Sequence, residues 1–309
     1  MSVNVLRTDG RWWVERDGLA HPVNTAAQTT AELLADREAV TNPAPEGVPV
    51  AELELLSPVT TPCRVVCQMV NYRSHARDSG FDPDKVPVTF FRKASGSVCG
   101  PYDTIVKPPH VRLLDYEIEL GLVMGAPLPL GVTVSQADLP AYVAGLVVAD
   151  DVSARDVQLS KTQFYESKSY PTFTPLGPRL VLLEPEEFAR LVDLRLQLSV
   201  NQVLRQDRTV ADMIAGPAAA LTALARFQEM APGDVLLTGT PGGTALKAPP
   251  KPVELLGSLL PPPLKWKIFF ERQARVPAYL RHGDVVTARI ATGDRAIDLG
   301  RQRTRVEYA

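Results

Sequence analysis

The sequence predicts an α+β protein, and three stretches carry that expectation. Residues 112–123 alternate, with Asp115, Glu117 and Glu119 on one face and Leu114, Tyr116, Ile118 and Leu120 on the other, as side chains do along a strand. Residues 194–200 alternate in the same way, Leu194, Leu196, Leu198 and Val200 against Arg195, Gln197 and Ser199, which reads as a half-buried strand. Residues 142–149 are an unbroken apolar run, the pattern of a strand covered on both faces. Helical signals lie between these strands and are local: a Thr29-x-x-Glu32 capping box and an alanine-rich segment from Ala218 to Met230.

Taken in order, residues 1–60 read as a small N-terminal domain. Trp12–Arg16 followed by Asp17-Gly18 predicts a hairpin; the capping box opens a helix through Val40, which Asn42-Pro43 stops. Ser57-Pro58 through Pro62 reads as a linker, and residues 61–309 as the larger domain. There, Arg64–Cys67 is a short buried strand. A helix over 72–78 would set His75 and Asp78 three apart on one face, either as a general base with its orienter or as a surface histidine beside an acid. Val86–Lys93 predicts a strand, and a glycine- and serine-rich turn leads by way of Lys107–His110 into the acidic strand. The apolar run ends at Asp150-Asp151, and Ser153-x-x-Asp156 predicts a capped helix with Arg155 and Gln158 on one face. Residues 166–178 form a proline-rich loop holding Lys168, free to face substrate or solvent. The 194–200 strand turns at Asn201-Gln202, and Pro232-Gly233-Asp234 turns into 235–243, where Gly239 and its neighbours permit close backbone approach to a ligand.

Composition excludes several classes. The 309 residues are 45% hydrophobic, enough for one large core, and a net charge of -2 with scattered basic residues provides no field for nucleic acid. No apolar run is long enough to cross a membrane, and Met1–Thr8 lacks a signal core, so a cytoplasmic address is expected. Cys63, Cys67 and Cys99 are odd in number and lack zinc spacing, which predicts reduced thiols.

Chemistry gathers on the acids. Alternate strand residues are about 6.6 Å apart, so Glu117 and Glu119 can turn their carboxylates toward one point, with Asp151 completing a trio. They would repel without a hard divalent ion; the same pattern also suits a solvated face.

Together Asn71-Tyr72-x-x-His75, Tyr116-Glu117-x-Glu119-Leu120, Asp151-Val152-Ser153-Ala154-Arg155-Asp156-x-Gln158, Lys168-Ser169-x-x-Thr172-Phe173-x-Pro175-Leu176-Gly177-Pro178 and Thr238-Gly239-Thr240-Pro241 resemble the fumarylacetoacetate hydrolase family over about residues 63–309. The resemblance implies a mixed β-sandwich roll, usually assembled as a homodimer. It implies that Glu117, Glu119 and Asp151 bind magnesium (Mg²⁺; Mn²⁺ or Ca²⁺ share the chemistry), that His75 with Asp78 activates water, and that Arg155, Gln158 and Lys168 stabilise an oxyanion. Tyr72, Gly239 and Thr240 are implied as substrate contacts. The implied reaction is hydrolytic carbon–carbon cleavage of a β-diketo acid such as an acylpyruvate; the alternative on the same metal site is a 2-oxo acid decarboxylase or a 2-hydroxydienoate isomerase or tautomerase. Retention of His75 with all three carboxylates argues against a non-catalytic binding protein. Departures are Asp78 where many members have glutamate, Pro171 for a frequent aspartate, Gln202 for the glycine of an Asn-Gly turn, Gln68 at the position of a fourth acid, and an insertion over about 245–280 holding Pro249-Pro250 and Pro261–Phe270. Its apolar residues would lid the site or pack on a second subunit.

Overall fold

A computed structural model describes residues 2–161, 163–248 and 261–309. Two sheets face one another across the main core. The larger has ten strands in the order Val48–Pro49, Leu19–Pro22, Arg11–Arg16, Val3–Thr8, Leu180–Leu182, Val143–Asp150, Ile118–Met124, Val235–Leu237, Val65–Gln68 and Phe90–Lys93. The second has five: Val203–Thr209, Arg195–Val200, Val285–Ala291, Asp298–Tyr308 and Ile105–Lys107. Leu120, Leu122, Leu146 and Val148 of the first pack in one cluster with Leu196, Leu198, Ile290 and Leu299 of the second. Val123, Val147, Ala149 and Leu237 point the other way, into a cluster shared with Trp12, Leu33 and Leu34. The apolar run is therefore covered on both faces, as its composition requires.

Residues 1–60 extend the large sheet: Val3–Thr8 pairs antiparallel with Leu180–Leu182. Asp17 and Gly18 take positive φ in the tight turn joining Arg11–Arg16 to Leu19–Pro22. Thr29 forms the expected capping box, but the helix is broken into Thr30–Ala35 and Arg37–Thr41. Asn201 and Gln202 both have positive φ, so the second hairpin keeps its turn with glutamine in the glycine's place. Of the expected 245–280 insertion, Pro249-Pro250 through residue 260 lie outside the described residues; the remainder holds the helix Pro262–Gln273.

Four expectations are corrected. The acidic stretch is two strands, Leu114–Asp115 and Ile118–Met124, because side chains take the donors between them: Asp115 Oδ1 accepts from Tyr116 N, Asp150 Oδ1 from Glu117 N, and Gln206 Oε1 from Ile118 N. Ser153 does not cap a helix; it lies in the bridge Ser153–Ala154, its hydroxyl donates to Asp151 O, and the helix Arg155–Ser160 starts without a side-chain cap. The strand of 86–93 is confined to Phe90–Lys93, and the alanine-rich helix ends at Leu224.

Gly145 fixes the spacing of the central strands. A Cβ there would stand 2.4 Å from Val181 O on the neighbouring strand. Gly145→Ala is expected to lower stability by about 1–3 kcal/mol through overpacking, read as a shift of the urea midpoint at constant slope.

Candidate active site

The centre forms where the apolar strand and the acidic strand end side by side. Antiparallel pairing sets Ile118 opposite Asp150 and Glu119 opposite Ala149, and Asp151 N donates to Glu117 O at 2.8 Å. Glu117, Glu119 and Asp151 are all buried, and each offers one oxygen within 4.8 Å of the others. Splitting the acidic strand at Tyr116–Glu117 lets the first glutamate turn toward the second.

Three buried cations hold two of these acids, Glu117 and Asp151. Lys168 Nζ bridges Glu117 Oε2 (2.5 Å) and Asp151 Oδ2 (2.6 Å). Lys93 contacts Asp151 Oδ1 and donates to Phe173 O at 2.7 Å. Arg155 contacts Glu117 Oε1, donates from Nε to Asp115 Oδ2 at 2.8 Å and from Nη1 to Gln158 Oε1 at 2.8 Å. The expected Arg155–Gln158 face is thus formed, and Lys168 faces the acids.

Charge balance decides what else fits. Burial disfavours the Glu117 anion, but Arg155 and Lys168 outweigh it and hold that carboxyl well below the usual range. Glu119 goes the other way: burial, then the charges of Asp151 and Glu117, push it well above. Its only donor among the described residues is Gly239 N, at 2.7 Å from Oε2. Burial likewise raises Asp150 to about 7, with Oδ2 unpartnered among the described residues. Asp115, Glu117, Glu119 and Asp151 outnumber the three cations when ionised, and every carboxylate oxygen has two lone pairs. A buried, all-oxygen, electron-rich donor set of this kind fits a hard divalent cation.

His75 stands on the helix Arg73–Asp78, in the field of Glu117, Arg155 and Lys168. Burial lowers its pKa below that of free histidine, and its buried Nδ1 has no hydrogen-bond partner among the described residues. The expected pairing with Asp78 is not made. Asp78 Oδ2 instead accepts from Gly243 N at 3.0 Å, and Ser74 Oγ from Gly242 N at 3.0 Å, so the acid fastens the histidine's helix to the glycine-rich loop. A carboxylate one methylene shorter than glutamate is turned to the nearer donor.

The expected substrate contacts are placed differently. Gly239 has φ +85° and would set a Cβ 2.8 Å from Asn71 Cβ; only glycine brings its N–H to Glu119 without strain. Thr240 is buried, its hydroxyl donating to Ile118 O (2.9 Å) and accepting from Gln206 Nε2 (2.8 Å). Tyr72 is fully buried, and its hydroxyl has no hydrogen-bond partner among the described residues. Gln68 is buried and neutral, its Oε1 3.3 Å from Asn71 Nδ2. Lys93, Asp115, Asp150 and Gln206 were not foreseen in these roles. The Asp150-Asp151 doublet after an apolar strand was a usable signal; Lys93 at a strand end reads as solvated, and nothing local to it says otherwise.

The profile of the fumarylacetoacetate (FAA) hydrolase C-terminal family matches residues 64–307. The chain belongs to the fumarylacetoacetate hydrolase family. Mitochondrial oxaloacetate tautomerases of Bos taurus and Homo sapiens are each 37% identical to it over 206 residues, which is 66% of this chain and 64% of theirs. The chain therefore spans just under two thirds of the length of these relatives. Among solved structures, a probable 2-hydroxyhepta-2,4-diene-1,7-dioate isomerase from Mycobacterium abscessus is 27% identical with a TM-score of 0.75, covering 100% of this chain and 99% of that one. Fumarylacetoacetate hydrolase from psychrophilic Exiguobacterium antarcticum is 26% identical with a TM-score of 0.74, covering 100% of both. The fold is that of the family, a mixed α and β architecture with several sheets. Members of the family are enzymes that bind a divalent metal, and the buried acidic trio is where this member could hold one. No helix among the described residues is long and apolar enough to cross a membrane.

Proposed function

We propose that this protein is a metal-dependent tautomerase of a small 2-oxo dicarboxylic acid, oxaloacetate being the first candidate. The observation that carries the reading is the convergence of Glu117, Glu119 and Asp151 on one point beside a histidine whose Nδ1 is free of its neighbouring acid. The relatives named oxaloacetate tautomerases support it. Hydrolytic cleavage asks for a water oriented by a histidine–carboxylate pair, and here Asp78 bonds Gly243 N rather than His75. A divalent cation, Mg²⁺ by preference for an all-oxygen set, would supply Lewis-acid polarisation of the 2-oxo group and acidify the adjacent C–H.

The protein's own groups do the rest. Neutral His75 takes the proton from the carbon beside the 2-oxo group; the C–H electron pair becomes the C=C bond, and the carbonyl π pair moves onto oxygen. Arg155 and Lys168 place fixed positive charge where that oxyanion develops, with no reorganisation needed at the moment of reaction. Return of a proton to the oxygen completes the enol, and the reverse path regenerates the ketone.

Oxaloacetate enol, followed by its ultraviolet absorbance, is expected to disappear faster with the protein and Mg²⁺ than with either alone, with EDTA removing the effect. Acylpyruvate cleavage with no acceleration of enol decay would reject tautomerisation and return the hydrolytic reading.

A further inference from the structure

A cavity of about 380 Å³ lies where the hairpin strand Val203–Thr209, the loop Gly243–Lys247 and the end of the helix Pro262–Gln273 meet. Among the described residues, none of the three trio acids lines it, and neither does any other aspartate or glutamate. Its polar wall is cationic and donor-rich. Arg205 and Lys247 both line it, and the buried Arg205 Nε has no acceptor among the described residues. Gln273 contributes an amide whose Oε1 already accepts from the Tyr279 hydroxyl at 2.8 Å, leaving its NH₂ as the available group among the described residues. The remaining wall is apolar, with Leu204 and Val276 prominent.

The backbone around it is held firmly. Gly243 has φ +108°, and a Cβ there would stand 2.1 Å from Arg205 O, so the loop and the arginine strand are in direct apposition. Tyr116 Oη donates to Gly243 O at 3.3 Å. A guanidinium carries five N–H donors, and a charge-assisted bond to an anion is the strongest contact that Arg205 can make from the cavity wall. The volume is in the range of small-molecule sites, and an apolar wall with a few convergent donors is their usual lining.

We propose that this cavity is a second ligand site, taking a small carboxylate with a short apolar body: the anionic head on Arg205, Lys247 and the Gln273 amide, the body against Leu204 and Val276. The site is separate from the metal ligands and needs no metal.

Hexanoate is the probe, since it has the head and the body but no 2-oxo group for chelation. Titrated calorimetrically into the full chain in EDTA, it is expected to bind saturably and more weakly as salt rises, while hexan-1-ol does not compete. Arg205→Met is expected to weaken binding about tenfold or more. Lys247→Met, at an exposed position, is expected to weaken it by a smaller factor and decides the matter should the arginine variant fail to fold. Glu119→Ala is expected to leave hexanoate binding unchanged. Non-saturable binding, an affinity unmoved by loss of either cation, or loss of binding in Glu119→Ala would each overturn the proposal.

Discussion

Glu119→Ala is expected to lower metal affinity by about a hundredfold or more and to remove enol turnover, while the fold persists. Glu119 is the acid whose charge the protein neutralises least: burial, Asp151 and Glu117 all oppose it, and one backbone N–H supports it. Removing it deprives a cation of one of three ligands and relieves crowding in the metal-free protein. The metal-free variant should therefore melt at the wild-type temperature or above it, because the strand is anchored by its buried neighbours Ile118 and Leu120. Wild type should gain thermal stability with Mg²⁺ by mass action, and the variant should not. Undiminished turnover in the variant, or equal wild-type turnover with and without chelator, would remove the acid trio from the chemistry.

His75→Ala is expected to cost about 10²–10⁴-fold in turnover and to keep the Mg²⁺-induced rise in melting temperature. The two variants thus separate metal binding from proton transfer. The pH dependence follows from the direction of the histidine's shift. Burial disfavours imidazolium, so the folded pKa lies below 6.5, and a base must be unprotonated to accept a proton. The rate is therefore flat above that pKa and falls as pH drops through it; the acid limb should have its midpoint below 6.5 and vanish in His75→Ala. An acid limb that survives the substitution would assign proton transfer to another group.

Particular residues explain how much of this could be read before folding. The spacing of Glu117 and Glu119, the doublet ending in Asp151 and the pairing of Arg155 with Gln158 are each written locally, and all three groupings reappear in the structure although the strand expected to carry Glu117 breaks there. The pairing of His75 with Asp78 failed although its spacing was right. Two groups on one helical face can meet, but the shorter carboxylate bonds whichever donor is nearer, and Gly243 N comes from 165 residues away. The Ser153 cap failed similarly: Asp156 is taken by Arg112 N and Leu113 N, 44 and 43 residues earlier. Lys93 gave no local sign at all, because a buried ammonium is tolerable only beside an acid that the chain delivers from elsewhere.

By itself the sequence determined the period of the 194–200 strand, the hairpin turns and the helical pairing of Arg155 with Gln158, all short-range patterns, and the spaced motifs that mark the family. Tertiary structure alone decided which cation neutralises which acid, where the acidic strand breaks, and that Gly239 and Thr240 spend their polar groups on Glu119, Ile118 and Gln206. The reason is that a buried polar atom must find a partner at hydrogen-bond distance, and which partner is nearest is settled only when distant segments pack.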